Sequence, residues 1–217
     1  MNEVPIVVLQ DSIQFLSAGG PVVYLLCALS VVSLTIALVK FWQFLRAGVF
    51  RASFAGRAAG LFRDGQYEPA LRMADRSSIR CRIVKQAMEG KLSGHGDPDR
   101  SRDEVLRVAE SAVEELGGYL RMLEIIGTLA PLLGLLGTVL GMIDAFQGME
   151  AAGDQVDPSV LSGGIWLALL TTAVGLAVAI PTVAVLNFFE RRLEILSHEL
   201  DNLVAKVYLT DLDGVAA

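Results

Sequence analysis

Few side chains in this 217-residue sequence could do chemistry, and two of them are singled out by where they fall. Thr138 lies in residues 129–146, a run that is otherwise apolar as far as Asp144. Thr172 lies among the 27 uncharged residues 163–189. A hydroxyl in such a stretch has two uses. It either bonds the carbonyl three or four residues back, at no cost to the helix, or lines a polar path for water or ions. Thr128 and Thr171 suit the first use. Thr138 and Thr172, each near the middle of its run and each on a stripe of small residues, suit the second.

Those stripes define the elements that would position the pair. Gly127, Pro131, Gly134, Thr138, Gly141 and Ala145 alternate four and three apart, and Gly164, Ala168, Thr172, Gly175 and Ala179 are each four or three apart, so each set runs along one side of a helix. Gly137 and Gly141 add a GxxxG pair. Lipid gives apolar side chains no reward for leaving it, so membrane helices associate where small residues let backbones approach. Packed antiparallel, the two helices would bring Thr138 and Thr172 to one depth. Pro131, Gly134, Gly137, Gly141, Ala168, Gly175, Ala179 and Pro181 are the expected packing residues.

Composition agrees with a membrane protein: 53% of residues are hydrophobic and the mean hydropathy is +0.52. A net charge of −6 argues against nucleic acid as a partner. Cys27 and Cys81 fall in an apolar run and a polar region, which offers no disulfide framework. His95 and His198 cannot make a metal cluster. The sequence has no nucleophile–base pair, metal motif or phosphate loop, so neither an enzyme nor a cofactor or metal is expected.

The predicted fold is an all-α membrane protein with three transmembrane helices, the second and third extended into a cytoplasmic helical bundle. Residues 1–20 read as a periplasmic amphipathic segment, 21–44 as the first membrane helix and 45–122 as a cytoplasmic helical domain. Residues 123–147 form the second membrane helix, 148–162 a periplasmic loop, 163–189 the third membrane helix and 190–217 a cytoplasmic tail. Fourteen of the 18 basic residues lie between Arg46 and Arg121, and the segments assigned to the periplasm have none. The positive-inside rule therefore places the amino terminus outside and the carboxyl terminus inside. Arg46, Arg51, Arg57 and Arg63 suit either anionic headgroups at the inner surface or a solvated face.

Apolar seams at Val105, Ala109, Ala112, Leu116, Tyr119 and Leu123, and at Phe189, Leu193, Leu196, Leu200, Leu203 and Val207, are expected to pack on each other. The first runs into the second span, which suggests one helix from about residue 98 to 148, on the order of 75 Å long. Asp144 is either a solvated interfacial carboxylate or an ion-gathering residue at a pore mouth. Lys40, Glu124 and Asp144 fall near the ends of their spans and no acid or base lies at mid-span, so a titratable group for proton conduction at membrane depth would have to come from a partner.

Two longer stretches carry a family resemblance. Residues 130–143, APLLGLLGTVLGMI, and residues 164–181, GIWLALLTTAVGLAVAIP, resemble the paired signatures of the MotA/TolQ/ExbB proton channel family, closest to its ExbB/TolQ branch. The resemblance implies a homo-oligomeric ring, pentameric in the better-known cases, around the membrane helices of an ExbD/TolR-like dimer whose aspartate takes up and releases protons. Work would pass to a TonB/TolA-like protein, for TonB-dependent uptake or envelope maintenance. Thr138 and Thr172 match the two threonines that face that aspartate. A hydroxyl can donate to a carboxylate and accept from a carboxylic acid, so it can accompany the cycle without titrating.

One position departs: ExbB and TolQ resemble each other in a glutamate where this chain has Leu167, as the flagellar stator branch also lacks that acid. This points to a specialised ExbB-like paralogue in the bacterial inner membrane. Two alternatives stay open, a non-conducting membrane scaffold and a sodium-driven stator-type subunit, since threonine hydroxyls also ligate hard cations.

Overall fold

A computed structural model of the chain describes residues 20–50, 53–93, 97–152 and 158–210. The expected amphipathic segment at residues 1–20 falls, apart from Gly20, outside the described residues. Every regular element among them is a helix: α1 (Gly20–Arg46), α2 (Ser53–Arg63), α3 (Tyr67–Ala74), α4 (Ile79–Leu92), α5 (Pro98–Gly117), α6 (Leu120–Ala152) and α7 (Pro158–Tyr208). Three stretches are long and apolar enough to cross a membrane, Gly20–Arg46, Pro98–Ala151 and Leu161–Tyr208. The chain is an all-α, multi-pass membrane protein.

The expected single helix from residue 98 to 148 is interrupted. The N–H of Gly118 turns back to the carbonyls of Glu114 and Glu115, and Tyr119 takes a left-handed φ of 66°. A side chain in that region is strained, and it removes Tyr119 from the seam: the residue is 70% exposed. Consecutive glycines supply the break, because neither favours continuing the helix.

Two compact units divide the chain, one made of residues up to Ala37 with Tyr119–Asn187, the other of Leu38–Gly118 with the residues from Phe188 onward. In the first, Leu26, Ile126, Ala130, Val178 and Ala179 form a core that joins α1, α6 and α7. Its outer surface carries Leu132, Leu135, Leu136, Val139 and Ile143, all exposed, as a bilayer-facing surface allows. The hydroxyls of Ser33 and Thr35 donate to the carbonyls of Ser30 and Val31, the usual way a polar side chain is accommodated in an apolar helix.

The second unit is a conventional soluble-type bundle. Phe44, Phe62, Ile83, Met88, Leu196 and Leu200 are fully buried, and Phe44 meets Phe189 at a ring separation of 4.8 Å. The two seams do pack together here, antiparallel. Gly117 lies against Leu193 at one end, and Ser101 Oγ and Tyr208 Oη are 2.7 Å apart at the other. Buried polar groups are paired. Arg80 donates from Nε to Glu199 Oε2 at 2.6 Å and from Nη1 to the carbonyls of Gly48 and Val49. Lys40, 2% exposed, donates to Gln43 Oε1 and to the Leu116 carbonyl in the last turn of α5, where a cation also suits the helix dipole.

Candidate functional site: the hydroxyl-bearing seam of two membrane helices

Glycines bring α6 and α7 into backbone contact. A Cβ built at Gly175 would stand 2.6 Å from the Ala130 carbonyl oxygen and 3.1 Å from Gly134 Cα. One at Gly134 would meet the Thr171 carbonyl at 3.0 Å and Thr172 Cα at 3.1 Å, and one at Gly141 would meet Ala168 at 3.4 Å. At the end of the seam, Gly164 is pressed against Ala145. Contacts therefore run antiparallel, 134 to 175 and 172, 137 to 171, 141 to 168, 145 to 164. No larger side chain fits at Gly134 or Gly175 without parting the helices.

The α6 seam consists of Gly127, Ala130, Gly134, Gly137, Gly141 and Ala145, all buried. Pro131 and Thr138, one position further along the chain than Ala130 and Gly137, are only half-buried. On α7, Ala168, Gly175 and Ala179 are buried, whereas Pro181 is exposed and lies outside the seam. Each proline also leaves the carbonyl four residues before it without its helical donor.

Three hydroxyls gather at this level, and they differ in what holds their protons. Thr171, 2% exposed, sits beneath Gly137, and its Oγ1 donates to Ala168 O at 2.7 Å. Thr138 Oγ1 donates to Leu135 O at 2.6 Å, leaving its lone pairs to the half-open side of α6. Thr172 Oγ1 reaches only Gly134 O, at 3.3 Å, well beyond the ~2.7–2.8 Å usual for a hydroxyl donor. Its proton is the one most easily redirected. Since Gly137 abuts Thr171 and Gly134 abuts Thr172, Thr138 and Thr172 lie within about one helical turn in depth.

Thr171 makes the local bond expected of it, to the carbonyl three residues back, but its place in the helix contact is what the sequence pattern missed. Its neighbour Thr172 fits the four-three alternation, but the closest approach of the helices needs a small partner on α6, and Gly137 opposite is what admits Thr171. The GxxxG pair Gly137 and Gly141 carried that signal. Thr128, in contrast, bonds the Glu124 carbonyl at 2.9 Å on an exposed face, a purely local arrangement. Leu167 is half-buried and Asp144 exposed. Among the described residues no group of acidic, histidine or cysteine side chains could hold a metal ion.

A glycine-lined helix pair with hydroxyls at mid-span, in a three-span helical chain, defines a multi-pass membrane protein whose second and third spans meet at their backbones. Residues 75–202, which include both Thr138 and Thr172, match the MotA/TolQ/ExbB proton channel family, and the chain belongs to that family. It is 33% identical over 145 residues to the biopolymer transport protein ExbB of Salmonella typhimurium, covering 63% of this chain and 59% of that protein. Identity is 44% over 85 residues with the ExbB of Helicobacter pylori, covering 39% and 58%, and 38% over 104 residues with the Tol-Pal system protein TolQ of Pseudomonas aeruginosa, covering 46% and 45%. The matches thus span 45–59% of the length of these relatives, and they place the chain on the ExbB/TolQ branch.

Proposed function

We propose that the chain is the ring subunit of an ion-driven inner-membrane complex of the ExbB/TolQ type. Several copies, five on the family's pattern, enclose the membrane helices of an ExbD/TolR-like dimer. The amino terminus lies in the periplasm and the carboxyl terminus in the cytoplasm, as the basic residues require. The dimer's aspartate carries the proton, and proton-motive force is converted to work passed to a TonB/TolA-like protein.

The observation that supports this reading is the unequal engagement of the two mid-span hydroxyls. Thr172, with a long bond to Gly134 O, donates to the partner's aspartate when it is ionised. Thr138, whose proton is held by Leu135 O, offers a lone pair to the same group when it is protonated. Each charge state of the partner thus meets a matched hydroxyl, and no titratable group is needed in this chain. Leu167 supplies only an apolar wall.

Proteoliposomes containing the chain and its single-span partner test this with a pH-sensitive dye. Thr172→Val is expected to lower proton flux at least about tenfold, the loss of one charge-assisted hydrogen bond, while Thr172→Ser retains it. Thr171→Val removes a buried hydroxyl whose short bond is to Ala168 O in its own helix, with Gly134 O farther off at 3.3 Å, and should leave flux near the parent level. Unchanged flux in Thr172→Val, with the complex assembled, would refute the role of that hydroxyl, and absence of flux from the assembled parent complex would favour a non-conducting scaffold.

A further inference from the structure

In the second unit a cavity of about 650 Å³ opens between the end of α1, the start of α4 and the last turns of α5. Its charged lining is unbalanced. Arg46, Arg76, Arg82 and Lys85 line it together with Asp75 and Glu115. Asp75 is occupied by Lys85, Nζ to Oδ1 at 2.7 Å. Among the described residues no carboxylate forms an ion pair with Arg46, Arg76 or Arg82.

Two of the three guanidinium groups are held by stacking. Arg46 lies 3.5 Å from the centroid of the Trp42 ring and Arg76 3.9 Å from that of Phe54. A stacked guanidinium presents its face to the ring and keeps its in-plane fork of N–H donors for oxygen anions. The start of α4 contributes little. The N–H of Ile79 already donates to Ala47 O, and that of Cys81 to Ser78 Oγ. Side chains, not the helix end, would have to hold a ligand here.

With Lys85 and Asp75 neutralising each other, three guanidinium groups and one carboxylate leave a site short of about two negative charges. A phosphate monoester, with roughly −1.5 to −2 charges near neutral pH and three acceptor oxygens, meets that need. We infer that this cavity binds a phosphate monoester, carried either on a lipid headgroup of the phosphatidic acid kind or on a small soluble molecule. Trp42 is 55% exposed beside Arg46 at the end of the first span, where an indole suits the headgroup layer of a bilayer. With Asp75 taken by Lys85, Glu115 is the lining carboxylate that opposes the ligand. Its removal should therefore strengthen binding, an outcome that misfolding cannot imitate.

Binding to the full-length chain in detergent is measured by titration with glycerol 3-phosphate, dioctanoyl phosphatidic acid and dioctanoyl phosphatidylcholine. Saturable binding of phosphatidic acid alone assigns a lipid source, and equal binding of glycerol 3-phosphate a soluble one; either result supports the site. Arg76→Gln and Arg82→Gln should each weaken binding about tenfold, the loss of a charge-assisted contact. Glu115→Gln should tighten it by about threefold, as expected for a partly screened like charge. Arg57→Gln, on an exposed part of α2 outside the cavity, removes the same charge and should change little. Absence of saturable binding, equal binding of phosphatidylcholine, an Arg57→Gln loss as large as that of Arg82→Gln, or weaker binding in Glu115→Gln would overturn the inference.

Discussion

Replacing Gly175 by alanine adds a single methyl group, and the surroundings of that methyl fix the outcome. It would sit 2.6 Å from the Ala130 carbonyl oxygen and 3.1 Å from Gly134 Cα. Unstrained contacts of this kind need roughly 3.5 Å, so α6 and α7 must part by about half an ångström or more. Both obstacles are backbone, and neither can rotate aside. Overpacking of this sort costs about 1–3 kcal/mol, offset in part by the ~0.8–1 kcal/mol by which alanine favours a helix over glycine. Gly141→Ala is the matched comparison. Its methyl would meet Ala168 at 3.4 Å, an ordinary contact, so the helical preference dominates and the change should be neutral or slightly stabilising. The two variants should therefore differ by about 2 kcal/mol, or roughly 4–8 °C in the unfolding midpoint for a chain of this size. Thermal unfolding of the full-length protein in one detergent, followed by circular dichroism, provides the comparison. Equal midpoints for the two variants, or Gly175→Ala the more stable of them, would refute the claim that the helices touch at their backbones.

Other perturbations probe the second unit. Arg80→Met removes a guanidinium whose side chain is 4% exposed and leaves Glu199 and the carbonyls of Gly48 and Val49 without their donor. Because Glu199 is 39% exposed and keeps its solvation, the main cost is the two carbonyls left without a donor: denaturant titration should show a loss of about 1–3 kcal/mol, and a loss below ~0.5 kcal/mol would mean that these bonds are not formed. The exposed Asp75–Lys85 pair gives a pH signature. Its hydrogen bond, and then the lysine's charge, hold the Asp75 carboxyl below its usual range, while the same contact raises Lys85. The pair's stabilisation is therefore present between about pH 4 and pH 10, fading as acid protonates Asp75 and as base deprotonates Lys85. Unfolding midpoints of Lys85→Met and the parent should converge at low pH and in high salt; a difference that persists there would contradict the assignment.

Much of the architecture is legible from residue order. The uncharged runs around Cys27, Thr138 and Thr172 are long enough to cross a bilayer, and such a run has little choice but to be helical, because lipid cannot satisfy a bare backbone. The two glycine-rich stripes announce a close helix pair, and their antiparallel pairing follows from the chain reversal between them. Heptad spacing likewise marks the faces that meet at Gly117 with Leu193 and at Ser101 with Tyr208. A stripe with a period of 3.5 residues, however, fixes a face only to within one position. Whether Pro131 and Thr138 or Ala130 and Gly137 lie in the contact depends on the rotation of α6 about its own axis, and that is set by which backbone atoms can approach. Steric fit at Gly134 and Gly175 decides it, turning Thr171 inward and leaving Thr138 half-open. Tyr119 follows the same logic, since its heptad position is genuine but the backbone turns left-handed there. Sequence by itself determined which stretches are helices and which sides of them are small; only tertiary contact decided the rotation of those sides and the hydrogen-bond lengths of the hydroxyls upon them, because both depend on atoms distant in the chain.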